Sequence, residues 1–148
     1  MKRFLHFAKA ILILAPTIIF CYFCWLIKYA KHPEKYPIEE RFGRMHKLMK
    51  KINKRMGLDI KIVGKENIPD TACCIMSNHV GGVDPMGYFA SIDKPFTFVV
   101  KKEVMKYPFV GKCIKALEGA FLDREDLKQS LRVMMNIQED LKKIKRTG

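Results

Sequence analysis

The order of hydrophobic and polar residues separates an uncharged N-terminal segment from a basic amphipathic one. Residues 10–27 contain no charged side chain. Residues 38–56 carry apolar side chains at helical spacing, which predicts an amphipathic helix. The other positions of that segment hold basic side chains, namely Arg41, Arg44, Lys47, Lys50, Lys51, Lys54 and Arg55. The beginning of the chain is therefore predicted to be helical. The basic face is either solvated or, beside a membrane anchor, drawn to anionic lipid, and we expect this helix to rest on the membrane surface.

Beyond Gly57 the pattern changes to short apolar runs that alternate with helical segments. Strands are predicted at residues 58–63, 72–77, 96–100 and 120–122. Helices are predicted at residues 85–92, at 103–116 with a break at Pro108, and at 125–145. This alternation implies an α/β fold with a largely parallel sheet and flanking helices. Ligands bind at the strand ends of such sheets, and the run 72–77 leads directly to His79.

The uncharged segment is long enough for a membrane helix. Its 18 residues would form a helix about 27 Å long, close to a hydrocarbon core of about 30 Å. Tyr22, Trp25 and Tyr29 lie where an interfacial aromatic belt is expected. We therefore predict a membrane anchor at 1–36, outside the core of a domain at 37–148. Pro16 allows one helix or a helix pair, and both a spanning helix and insertion into one leaflet remain open, as does a cleaved signal peptide.

The charge of the chain calls for an anionic partner. The formal net charge is +13 and the pI is about 9.6, which suits nucleic acid or a membrane. Because the basic residues flank the apolar segment and no nucleic-acid-binding motif is present, we predict anionic phospholipid and no nucleic acid. If the segment spans the membrane, the basic residues after it keep the domain at the cytoplasmic face of the cell membrane.

Asn78 and His79, followed by Asp84, form the most distinctive polar motif. A histidine can take a proton from an attacking hydroxyl when a carboxylate orients the ring. His79 and Asp84 would point to different sides of a continuous helix, so they meet only if the chain turns. Gly81 and Gly82 permit a tight turn because glycine adopts positive φ. The alternative is a loop histidine followed by an ordinary helix start at Asp84.

Three segments, in this order, resemble the glycerolipid acyltransferases, specifically the 1-acyl-glycerol-3-phosphate acyltransferase group. Residues 77–85 resemble the NHxxxxD motif, which begins at Asn78. Residues 100–111 resemble the family's basic segment and its Pro-aromatic-x-Gly turn. Residues 119–124 resemble the second motif, G-x-x-F-[IL]-D-R. The resemblance covers roughly residues 38–146.

The resemblance implies a role for each matching residue. His79 would be the base for the acceptor hydroxyl, and Asp84 would orient it. Substrate-binding roles fall on the remaining motif positions, which are Asn78, Lys101, Lys102, Asp123 and Arg124. The implied reaction moves a fatty acyl group from acyl-CoA or acyl carrier protein to the sn-2 hydroxyl of lysophosphatidate. It needs no cofactor, and the four histidines do not have metal-ligand spacing, so no metal is predicted.

One family motif is not found. Glu-Gly-Thr-Arg should follow the last predicted helix, which places it beyond Gly148. The sequence therefore predicts the N-terminal, incomplete part of an acyltransferase domain. The alternative is a catalytically inactive, membrane-anchored basic protein that binds anionic lipid.

Overall fold

Helices account for most of the chain in the computed structural model, which describes residues 2–78 and 81–147. The α-helices are α1 (Lys2–Cys21), α2 (Ile27–Lys31), α3 (Ile38–Met56), α4 (Asp84–Ser91), α5 (Pro108–Ala116) and α6 (Leu127–Thr147). A π-helical turn (Tyr22–Leu26) joins α1 to α2, and short 3-10 turns occupy Pro33–Lys35, Lys65–Asn67 and Lys102–Lys106. The strands of the described residues are β1 (Val99–Lys101) and β2 (Ala120–Leu122).

The N-terminal helices form one rod rather than a pair separated at Pro16. Helix α1 continues through Pro16, and the backbone stays right-handed helical at Cys21 and Ile27, on either side of the π-helical turn. Residues Leu12–Lys31 are long and apolar enough to cross a membrane, by length and composition. The prediction of an apolar N-terminal helix is confirmed.

The expectation that this segment lies outside the core is wrong. Leu14, Leu26 and Tyr29 are buried, and they belong to the same hydrophobic cluster as side chains of α3, α4 and α5. Trp25 is buried as well, so neither it nor Tyr29 stands in an exposed aromatic belt. The sequence could not show this, because a membrane helix and a core helix are both uniformly apolar. The domain boundary near residue 36 stays a prediction.

Helix α3 has the bounds that its periodicity predicts. It ends at Gly57, whose φ of 66° is left-handed and lets its N–H bond back to the last turn. Phe42, Met45 and Leu48 face the core. The expectation that all the basic residues of this helix are solvated is wrong for Arg41, which is only 4% exposed.

The sheet is parallel but shorter than predicted. Strands β1 and β2 pair in parallel, with Val99 opposite Ala120 and Lys101 opposite Leu122, and α5 forms the connection between them. The predicted strands at 58–63 and 72–77 are wrong, because neither segment pairs with a neighbouring strand in the described part of the chain. Apolar alternation favours an extended backbone, whereas a strand also needs a hydrogen-bonded neighbour. The confirmed fold is mostly helical with a small parallel sheet.

Aromatic packing places α4 against the strand that precedes the site. The ring of Phe89 lies 4.9 Å from that of Phe96 and 6.0 Å from those of Phe42 and Phe98, measured between centroids. Tyr88 also contacts Phe98, at 6.0 Å. Helix α3, the second half of α4 and the segment before β1 therefore share one aromatic cluster.

Among the side chains that the structure describes, two helices carry an exposed apolar face. One lies on the N-terminal rod and comprises Leu12, Ile13, Ile19, Phe20 and Phe23. The other lies on α6 and comprises Leu127, Leu131, Met134 and Met135. Both repeat at helical spacing, so each forms a continuous stripe.

Candidate active site

The chain turns between Gly81 and Asp84, as the spacing of the first motif requires. The N–H of Gly81 donates to Oδ2 of Asp84 at 3.0 Å, and the N–H of Asp84 donates to the carbonyl of Gly81 at 3.2 Å. Pro85 follows in the first turn of α4. His79 lies outside the described residues, so its position relative to Asp84 stays a prediction. The described geometry holds the Asp84 carboxylate at the start of α4.

The prediction that Gly81 and Gly82 provide positive φ in this turn is wrong. Among the described residues the glycines with positive φ are Gly57 and Gly64, so Gly81 and Gly82 do not use the left-handed region. No described atom beyond the chain neighbours lies within 4 Å of a Cβ added at Gly81 or Gly82. Their lack of side chains leaves open space beside Asp84.

The segment before the motif contacts α4 directly. The hydroxyl of Ser77 contacts the hydroxyl of Tyr88, one turn beyond Asp84. Asn78 follows and is exposed. The chain therefore enters the motif along the side of α4.

A buried asparagine that sequence reasoning missed also holds this helix. Asn53 is 6% exposed, and its Nδ2 donates to the carbonyl of Met86 at 3.0 Å. In the sequence, the feature that could have indicated its burial is its position next to Ile52, on the apolar stripe of α3. Buried amides are expected to bond to the backbone of a neighbouring element.

Four predicted site residues lie at the carboxyl ends of the two strands. Lys101 ends β1 opposite Leu122, so Lys102 and Asp123 leave the sheet side by side. Lys102 Nζ lies 2.5 Å from Asp123 Oδ2, and Lys101 Nζ lies 3.4 Å from Glu103 Oε1. Arg124 is exposed, with no ion-pair partner among the described residues. The structure thus brings together Lys102 and Asp123, with Arg124 next to them in the chain.

The electrostatics of this pair favour the charged forms of both groups. The hydrogen bond from Lys102 lowers the pKa of Asp123, and its positive charge acts in the same direction. The same bond and the negative charge of Asp123 raise the pKa of Lys102. Both groups are therefore ionised at neutral pH, and Asp123 offsets part of the Lys102 charge. Arg124 is the cation best placed to meet an anion.

Helix α6 fixes Asp123 through its first turn. Gln129 Oε1 accepts the N–H of Asp123 at 3.0 Å, and Ser130 Oγ donates to the Asp123 carbonyl at 2.6 Å. Asp126 caps the helix by accepting the N–H of Gln129 at 3.0 Å. The cap explains why α6 begins at Leu127 rather than at residue 125, as predicted. Sequence reasoning missed these residues, although Asp126 and Gln129 have capping-box spacing.

An apolar groove of about 220 Å³ lies beside the second half of α4. Its walls are formed mainly by Ile62, Val63, Ile68, Ile75, Tyr88 and Ile92. The groove and the Ser77 contact share Tyr88. Apolar surface therefore adjoins the segment that leads into the first motif.

Comparison with known proteins agrees with these motifs. Residues 59–147 match the family model described as Acyltransferase. A relative from Mycoplasma pneumoniae, named a probable 1-acyl-sn-glycerol-3-phosphate acyltransferase, is 30% identical over 86% of this chain and 50% of its own length. A relative from Saccharomyces cerevisiae, named 1-acyl-sn-glycerol-3-phosphate acyltransferase, is 29% identical over 97% of this chain and 48% of its own length.

The chain spans about half the length of these curated relatives. No solved structure matches it. The family match covers more than half of the chain and includes Asp84, Lys102 and Asp123. The resemblance predicted from the motifs is therefore confirmed, and the chain belongs to the acyltransferase family.

Proposed function

We propose that the chain supplies the base and the acceptor-phosphate site of a 1-acylglycerol-3-phosphate acyltransferase. The enzyme transfers a fatty acyl group from acyl-CoA or acyl carrier protein to the sn-2 hydroxyl of lysophosphatidate, giving phosphatidate for phospholipid synthesis. The names of the relatives support the reaction class. The observation that carries the proposal is the pairing of Lys102 with Asp123 at the ends of two parallel strands, with Arg124 as the next residue of the chain.

The chemistry needs one base and one anion site. His79 takes the proton of the sn-2 hydroxyl, and the oxygen attacks the thioester carbonyl. The carbon–sulfur bond then breaks, and the leaving sulfur takes the proton back from the imidazolium, so His79 ends neutral. Asp84 steadies the imidazolium, as a carboxylate does in other His-based sites. No metal or cofactor enters these steps. The absence of a metal and of a cofactor from the reaction stays a prediction.

The acceptor phosphate is assigned to the strand ends. Arginine suits a phosphate because its planar fork makes two bonds at once. Arg124 supplies that fork, with Lys101 and Lys102 adding positive charge and Asn78 a polar group near the hydroxyl. Asp123 orients Lys102. We assign the acyl chain to the apolar groove beside Tyr88.

Arg124→Ala in the intact protein tests the assignment. We expect the KM for lysophosphatidate to rise about tenfold or more, because a hydrogen bond to a charged group contributes about 1.5–3 kcal/mol. The KM for acyl-CoA should change little. Phosphatidate is measured by mass spectrometry in mixed micelles, with Arg132→Ala, an exposed arginine of α6, as the control. An unchanged acceptor KM removes Arg124 from the site, and a wild-type protein without turnover favours the inactive lipid-binding alternative.

The same proposal places the protein on the cell membrane, with the N-terminal rod in one leaflet and the domain on the cytoplasmic face. The exposed stripe of the rod supports insertion, since Phe20 and Phe23 are each 65% exposed. The rod also packs on α3, where Lys51 Nζ lies 3.4 Å from Thr17 Oγ1. A spanning rod would carry Lys51 into the hydrocarbon, where a lysine costs about 2.5–3.5 kcal/mol or more. Insertion along one leaflet avoids that cost.

Charges on the stripe test this orientation. We expect the double substitution Phe20→Glu and Phe23→Glu to abolish flotation of the intact protein with anionic vesicles while its circular dichroism is unchanged. The matched control is Leu131→Glu with Met135→Glu, on the exposed stripe of α6. Vesicle binding that survives the rod substitutions would contradict insertion through this face. A protease site placed before residue 9 separates the two topologies in sealed, inverted vesicles, whose cytoplasmic face points outwards. Cleavage by a protease inside the vesicles, but not by one added outside, would show that the rod spans.

A further inference from the structure

Arg41 ties the start of α3 to the turn before β2. Its Nη1 donates to the Ala116 carbonyl and its Nη2 to Glu118 Oε2, each at 2.6 Å, and its Nε donates to the Tyr36 carbonyl at 2.9 Å. The arginine is only 4% exposed. The first two partners lie 75 and 77 residues away in the chain. One side chain therefore joins two distant segments with three bonds.

The turn that it holds is conformationally strained. Glu118 has a φ of 55°, and among the described residues it is the non-glycine residue with positive φ. Such a conformation persists only where the surroundings enforce it. The next residue, Gly119, has no room for a side chain, because a Cβ there would lie 2.4 Å from Ile114 Cγ2 and 2.9 Å from the Phe98 carbonyl. The turn therefore has little freedom while the Arg41 bonds are intact.

Only the three residues of β2 separate the turn at Glu118 and Gly119 from Asp123, at the proposed phosphate site. Gly119 N–H donates to the Ile114 carbonyl at 2.8 Å, and Ala120 N–H donates to the Phe98 carbonyl at 2.9 Å, which starts the pairing of β2 with β1. Strand β2 consists of Ala120–Leu122, and Asp123 follows it. A change in the turn therefore moves β2 along β1, and with it Asp123 and Arg124 relative to Lys102.

We propose that Arg41 is a positioning residue for the acceptor phosphate, acting through Glu118 and the turn to set the register of β2. Arg41 itself does not touch the phosphate. It fixes where Asp123 and Arg124 stand relative to Lys102, so that Arg124 and Lys102 face one anion while Asp123 holds Lys102 in place. The inference rests on the proposed function for the identity of the acceptor, but its geometric content does not depend on turnover.

Glu118 offers the cleaner variant, because its side chain is 56% exposed and its removal leaves the two carbonyl bonds of Arg41 in place. Glu118→Ala removes the carboxylate and keeps the unfavourable φ. Glu118→Gln keeps an acceptor of the same length and serves as the rescue. Glu139→Ala, an exposed glutamate of α6, is the matched control. Arg41→Lys tests the other partner, since lysine cannot make the same three bonds.

The first readout is the affinity of the intact protein for inorganic phosphate, with hydrogen exchange of the amides at 120–123. We expect Glu118→Ala and Arg41→Lys to speed exchange at 120–123 alone and to weaken phosphate binding about tenfold, which corresponds to the loss of one charge-assisted bond between the displaced Arg124 and the phosphate. Glu118→Gln should recover most of the affinity, and the control should match wild type. General destabilisation would speed exchange throughout and would not be rescued by glutamine.

Phosphate affinity of Glu118→Ala and Arg41→Lys equal to that of wild type overturns the inference, as does a wild-type protein that binds no phosphate. The second readout separates the two proposals. A wild-type protein that binds phosphate but does not acylate lysophosphatidate contradicts the proposed function, while the phosphate result still decides the role of Arg41. In an active enzyme we expect the acceptor KM to rise in the Glu118→Ala variant and the acyl-CoA KM to stay unchanged.

Discussion

We expect His79→Gln to lower the rate of acyl transfer by about 10²–10⁴-fold, the contribution of a general base, and to leave binding to anionic vesicles unchanged. Glutamine keeps a polar side chain but cannot take the proton of the sn-2 hydroxyl. In the proposed orientation, binding to vesicles depends on the exposed apolar stripe of the rod and on basic surface residues, so it should not respond. The measurement is the initial rate of phosphatidate formation, with flotation measured on the same preparations.

His32→Gln is the control, because this histidine is 52% exposed and belongs to neither motif. Asp84→Asn should also lower kcat strongly, since an amide favours the wrong tautomer of the histidine. Full activity in His79→Gln would place the base elsewhere. Vesicle binding without turnover in every variant, wild type included, would support an inactive lipid-binding protein.

Deletion of residues 1–31 is expected to abolish cooperative folding. The deletion removes Leu14, Trp25, Leu26 and Tyr29, which are all buried in the common core. Full burial of one such side chain stabilises a protein by about 1.5–3 kcal/mol, so together they contribute roughly as much as the entire stability of a domain, about 5–15 kcal/mol. Thermal unfolding followed by circular dichroism in one detergent gives the comparison.

The charged variant of the rod is the control for this deletion. Phe20→Glu with Phe23→Glu alters exposed residues only, so it should unfold as cooperatively as wild type. A truncated chain with the same sharp transition would contradict the role of the rod in the core. It would also support the predicted boundary near residue 36. Loss of membrane binding in the deletion therefore says nothing about insertion unless the fold is intact.

Elements whose signals are local could be predicted from the sequence. Helix α3 was predicted with its observed bounds, and α4 and β2 within about one residue, because periodicity, Pro85 and short apolar runs specify them. The break at Pro108 is confirmed as a 3-10 turn followed by α5. These features depend on neighbours within a few residues, which a linear pattern contains.

Features that depend on distant partners could not be predicted. Arg41 is buried because it bonds to a turn 75 residues away in the chain. The sequence of α3 alone does not distinguish it from the other basic side chains of that helix. The runs at 58–63 and 72–77 have the composition of strands without a paired neighbour. In the site, the family motif predicted Lys102 and Asp123 but not Gln129 and Ser130, which hold Asp123 from α6.

The distance in the chain between the rod and α5 has a consequence for synthesis. Arg41, in the helix that follows the rod, lies 75 residues before Ala116 of α5, and a ribosome working at about 5–20 residues per second adds that length in about 4–15 s. During that interval the apolar rod has emerged, while the part of its core supplied by α5 does not yet exist. Until then only α3 can cover part of the rod, and a bilayer available to the nascent chain would offer it a further apolar surface. Docking of the domain would then follow membrane contact in time, and the order of events would itself protect the rod from aggregation.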